Sequence, residues 1–141
     1  MIIVVFVIDA CSTQYEVISA EDYANEISFA TLTVYNTIKT DMMFPTAQNH
    51  KLAISIMELI KVKMLNKIIL PKNAAQKKLL LNGQRFLAEL QKHIDFLIPL
   101  SSILLTPEII RQRERNSADM DAVAMETGTF IQENKIDILS N

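Results

Sequence analysis

Residues 73–99 read NAAQKKLLLNGQRFLAELQKHIDFLIP, and this stretch decides the fold. Leu79, Gly83, Phe86, Leu90, Ile94 and Leu97 recur at spacings of three and four, which places them on one face of an α-helix. Leu80, Leu87 and Ile98 widen that face. Asn73, with Gln76 three positions on, is a helix start: the asparagine oxygen can accept one of the free N–H groups of the first turn. Pro99 closes the segment, because a proline can neither donate to nor fit inside a continuing helix. A helix with one wide apolar face has to bury it against other elements. Gly83 lies on the seam, where a missing Cβ lets a neighbouring helix come close.

The same grammar extends in both directions. Upstream, the spacing of Ala53, Met57, Ile60, Met64 and Ile68 predicts a helix from about Thr46 to Leu70, with Pro71 as its breaker. Before it, Ser19 and Asp22 make a capping pair for a helix carrying Tyr23, Ile27, Ala30, Val34 and Ile38, ended by Phe44-Pro45. Downstream, Thr106-Pro107-Glu108 sets a cap residue, a proline at the first helical position and an acid in the first turn. The helix it opens carries Ile109 and Ile110, then the polar run Arg111 to Asn116. It either continues or restarts at Ser117, and Met120, Val123, Ala124, Thr127 and Ile131 restore the stripe. Residues 136–141 are a last turn or a loose tail. The expected architecture is all-α, an up-and-down bundle of four or five helices. Residues 1–18 form an apolar N-terminal segment and polar tether, and residues 19–141 a single helical domain.

Composition agrees. The chain has 141 residues, half of them apolar and 21% charged, which is the profile of one folded domain. It holds only two glycines, Gly83 and Gly128. Open α/β and all-β folds need more of them at turns. Net charge is −2, but its distribution is uneven. Residues 1–45 carry one Lys and six acids, residues 46–115 twelve bases and five acids, and residues 116–141 one Lys and five acids. A basic middle can serve phosphates or anionic lipids. The reading preferred here is that helices of opposite charge lie side by side. No run reaches the about 18 apolar residues of a membrane-spanning helix.

Chemistry-bearing patterns are scarce. His50 and His93 lack a second ligand at a recognisable spacing, so no metal site is expected. Antiparallel helices would nonetheless bring both to one end of the bundle. They are expected at the surface. No nucleophile elbow and no glycine-rich phosphate loop occur, and Cys11 has no basic neighbour to activate it. The acid pairs Glu21/Asp22 and Asp119/Asp121 fall near expected helix starts, where carboxylates complement the dipole. Arg111-Gln112-Arg113-Glu114-Arg115 is the densest basic stretch. Without interleaved aromatics it reads as a solvated helix face rather than a nucleic-acid site. No catalytic residue, cofactor or metal is expected, and the chain is not expected to be an enzyme.

One segment resembles a known signal. Ile8-Asp9-Ala10-Cys11, after the apolar run Ile2 to Ile8, resembles the lipobox of bacterial lipoproteins: an aliphatic residue, a variable one, a small one, then the cysteine that receives the lipid. The resemblance implies lipidation at Cys11, loss of residues 1–10, and membrane attachment on the periplasmic side of a bacterial cell envelope. The helical domain would then be a non-enzymatic binding or structural module. Residues 4–13 are also similar to the first strand of von Willebrand A domains. Cys11 and Thr13 stand where that family has serines, and its alternating strands and helices do not follow. Residues 124–127 are similar to a ribose-binding stretch of nucleoside phosphorylases, without the surrounding glycine-rich strands. The alternative reading keeps residues 1–10 as a strand or apolar arm. A lone strand needs a partner for its backbone groups. The chain would then be a cytoplasmic helical protein that dimerises or binds a protein partner with residues 1–10 in the interface. A nucleic-acid partner is disfavoured.

Overall fold

A computed structural model describes residues 2–8, 11–102 and 106–141; for 2–8, 11–14 and 101–102 it describes the backbone alone. The chain folds as an all-α, up-and-down bundle with a small strand element at one end. Four long helices form it: α1 (Ala20–Met43), α2 (Ala47–Leu65), α3 (Ala74–Leu97) and α4 (Pro107–Glu133). Each packs on its neighbours in sequence, and α4 returns to close the ring against α1. Short connections make consecutive helices antiparallel.

The helix starts follow the side chains that cap them. Ser19 Oγ, Thr46 Oγ1, Asn73 Oδ1 and Thr106 Oγ1 accept from the N–H groups of Asp22, Asn49, Gln76 and Ile109, at 2.8–3.2 Å. Such caps contribute roughly 1 kcal/mol each. The core is built from the expected stripes: Tyr23, Ile27 and Val34 on α1, Met57 and Met64 on α2, Leu79, Phe86, Leu90 and Ile94 on α3, Met120 and Val123 on α4. Gly83 does admit a close neighbour, and the neighbour is a side chain. A Cβ there would stand 1.9 Å from Tyr23 Oη, so α1 drives its first core tyrosine into the notch that α3 leaves open. Burial pushes the Tyr23 phenol up to about 12, because the anion would be stranded there.

Several expectations are corrected. The second helix stops at Leu65 rather than Leu70, because Lys67–Ile68 forms a strand, β3, parallel to β2 (Cys11–Val17). Glu16 N–H donates to the Asn66 carbonyl at 2.7 Å and Ile18 N–H to that of Ile68 at 2.9 Å. Residues 12–17 are therefore extended and paired, not an irregular tether. The apolar run forms β1 (Ile2–Ile8), antiparallel to β2 from Ile2↔Val17 to Ile8↔Cys11, so its partner strand lies within the same chain. The fourth helix runs unbroken through Asn116, and its interruption comes at Asn134. Residues 135–139 then form a short helix, α5 (Lys135–Leu139). Its Ile138 is buried, and Gln76 Nε2 donates to the carbonyls of Ile138 (3.0 Å) and Ser140 (2.9 Å).

Charge placement matches the side-by-side reading. Glu26 of α1 takes Lys63 and Lys67, Lys39 of α1 meets Asp121 of α4, and Lys92 and Arg85 of α3 meet Asp119 and Glu126 of α4. Lys67 is the main reason the Glu26 carboxyl sits below its ordinary range. Asp119 and Asp121 are thus mid-helix partners of neighbouring helices, not dipole acids at a helix start. Among the described residues, no helix is long and apolar enough to cross a membrane.

Candidate functional site

At the end of the bundle away from the strands, the apolar stripes give way to polar residues without leaving the interior. Asp41 follows Val34 and Ile38 on α1. His50 precedes Ala53 and Met57 on α2. His93 lies beside Ile94 on α3, and Arg113 and Asn116 precede Met120 on α4. All five are more than nine-tenths buried. Each of the four helices contributes, because antiparallel packing brings the last turns of α1 and α3 beside the first turns of α2 and α4.

Asp41 is the hub. Its Oδ2 accepts from Arg113 at 2.6 Å and lies 2.9 Å from His50 Nδ1. His50 Nε2 lies 3.2 Å from the Leu97 carbonyl oxygen. Both ring nitrogens therefore face oxygen atoms. Arg113 and His50 thus flank one oxygen of the Asp41 carboxylate. Such a buried group is held by mutual attraction against a desolvation cost of several kcal/mol per ion, so removing one member strands the others.

The second histidine has a different environment. Burial lowers the His93 pKa from its ordinary value, since charge is costly there, while a hydrogen bond with the Asn116 backbone pulls the other way. His93 Nε2 has no hydrogen-bond partner among the described residues, and neither has Asp41 Oδ1. Asp41, His93, Arg113 and Asn116 line one small cavity of about 10 Å³, walled by Ile38, Met42, Phe96 and Leu97.

Asp41 and His50 have the contact of a catalytic dyad, but a backbone carbonyl occupies the position a nucleophile would take. The cavity on the other side of Asp41 is about the size of one water. The arrangement ties four helices together. The histidines do meet at one end of the bundle, but both are buried rather than at the surface. Among the described residues, no three His, Cys, Asp or Glu side chains are grouped to hold a metal ion.

The stretch Arg111 to Arg115 is not a solvated face throughout: Arg111 and Arg115 share an exposed face, while Arg113, which helical geometry turns away from them, is buried. The signal was present: counting back from Met120 in steps of four and three reaches Asn116 and Arg113, both on the core face. Asp41 was recoverable likewise, three residues beyond Ile38. As for the lipobox-like segment, Cys11 opens β2, opposite Ile8 in the hairpin register. The Cys11 side chain and all of Asp9 and Ala10 lie outside the described residues.

The outer face of α1 and α2 is the other notable surface. Phe29 and Leu32 of α1 and Leu52 and Leu59 of α2 are exposed by 57–70%. A groove of about 260 Å³ runs between the two helices, lined by Thr33, Asn36, Thr40, Asn49, Leu52 and Ile56, so that Leu52 alone of the four borders it. No protein-family model, curated protein or solved structure matches the chain.

Proposed function

We propose that this chain is a non-enzymatic helical association module, and that its working surface is the outer face of α1 and α2. The observation that carries the reading is the row of large apolar side chains left in solvent there: Phe29 and Leu32 on α1, Leu52 and Leu59 on α2. Apolar surface of this kind, rimmed by Asn and Thr, is what protein partners cover. The occupant we assign is a second copy. A two-fold axis lying in that face and running along the helices sets α1 of one copy against α2 of the other, closing the contact on itself.

Sedimentation velocity over a concentration series tests this. The full chain is expected to dimerise. Leu59→Arg is expected to return it to monomer with unchanged helical circular dichroism, while Leu81→Arg, at an equally exposed leucine of α3, leaves the dimer intact. A monomer at every concentration, or a dimer indifferent to Leu59→Arg, would overturn the reading.

The sequence Ile8-Asp9-Ala10-Cys11 supports a second proposal, about where the module works: held at a bacterial envelope membrane by lipid on Cys11. Cleavage before Cys11 would remove β1 and the partner of β2 along its whole length. The tethered and untethered forms therefore differ by a strand as well as by a lipid. The mass of the mature protein separates them. A diacylglyceryl group on an N-terminal Cys11 is the expected result. An unmodified chain that still carries residues 1–10 refutes the tether and favours the reading in which β1 stays with the fold and joins the interface.

A further inference from the structure

Asp41 Oδ1 and His93 Nε2 are both buried, both without a hydrogen-bond partner among the described residues, and belong to residues that line the same small cavity. Unsatisfied groups of this kind are rare in folded proteins and call for an explanation, since each costs about 1–3 kcal/mol when left bare.

The chemistry of the two atoms narrows what can satisfy them. Asp41 Oδ1 belongs to a carboxylate already engaged by Arg113 and His50 through its other oxygen, so it is an acceptor. In His93 the Asn116 backbone engages the ring, and Nε2 is the nitrogen left over. Its surroundings favour the neutral ring, whose N–H goes to the backbone acceptor. Nε2 then carries a lone pair and is an acceptor as well. Two acceptors cannot bond to each other. They need a molecule with two donors, small enough for about 10 Å³. Such a volume is about that of a single water-sized probe.

We propose that this junction is a binding site for one structural water, which donates one hydrogen to Asp41 Oδ1 and the other to His93 Nε2. Its oxygen keeps two lone pairs, and the Arg113 guanidinium and Asn116 amide on the cavity wall are the donors within the lining able to meet them. The water joins α1 to α3, which no direct hydrogen bond between described residues links in the polar junction. His50, by contrast, needs none, because both its nitrogens are already engaged. A metal cation is excluded by the guanidinium beside the carboxylate. An anion is excluded because both free atoms are acceptors.

Two measurements on the full-length wild-type chain test this. In a high-resolution crystal structure, a single spherical peak is expected about 2.7–3.2 Å from both atoms. Nitrogen-detected NMR of the histidine rings is expected to show His93 as the neutral tautomer with its proton on Nδ1. A cavity without density at that position overturns the proposal. So does a direct Nε2–H···Oδ1 contact, or a His93 ring protonated on Nε2 at neutral pH. Neither measurement depends on the quaternary reading above, so the two can fail separately.

Discussion

The same substitution has opposite expected effects at the two glycines. At Gly83 any Cβ collides with the Tyr23 ring, which sits in the core and cannot swing into solvent. Gly83→Ala is expected to cost about 1–3 kcal/mol through overpacking. At Gly128, inside α4, a Cβ meets nothing within 4 Å among the described residues, and the residue is exposed. Gly128→Ala is therefore expected to stabilise by about 0.5–1 kcal/mol, because alanine loses less backbone freedom on folding. Urea denaturation of the two variants reads both signs from one protein. The seam position of Gly83 was visible in the spacing of its neighbours. The identity of its occupant was not, since nothing in a periodicity says that a tyrosine on another helix reaches across.

Among the elements, the four long helices were legible because capping residue, apolar spacing and terminating proline agreed at each. The misreadings fall where local signals were weak or tertiary pairing overrode them. Lys67 and Ile68 continue a helical pattern in sequence, but Cys11–Val17 supplies backbone partners that only a strand can use. The polar run Arg111 to Asn116 reads as a gap in the apolar stripe, whereas Arg113 and Asn116 lie on the core face and are buried. Helix α5 is the least legible of all, five residues long and held by contacts made far away in sequence. Its anchor is Ile138, 2% exposed, with Gln76 holding the adjacent carbonyls. Ile138→Ala is expected to cost about 2 kcal/mol or more. Hydrogen exchange should show the loss first at residues 135–141, with protection in α1 to α4 retained.

For the whole molecule, the buried histidine on α3 shapes the response to acid. An unfolded His93 titrates near its ordinary value of 6.5, and the folded one titrates lower. Just below pH 6.5 the unfolded chain takes up this proton more readily than the folded one. The contribution is complete above about pH 6.5 and is lost as the pH falls from there through the folded-state value. Glu26 and Asp119, also lowered, add their losses only further into acid, below the ordinary carboxylate range. The midpoint of thermal unfolding is therefore expected to fall in two stages on acidification. His93→Asn should flatten the first stage and leave the second.

The junction built on Asp41 also bears on a choice that apolar stripes leave open. Amphipathic helices with stripes of similar width can slide past one another by a turn and still bury their greasy faces. A carboxylate that must find an arginine on α4 and an imidazole on α2 at once cannot. After a slip of one turn in any of these three helices, that carboxylate would be sealed in with its partners elsewhere. The penalty would fall on the wrong fold rather than improve the right one. The chain thus carries its register in three polar side chains, at the end where the helices turn back on one another.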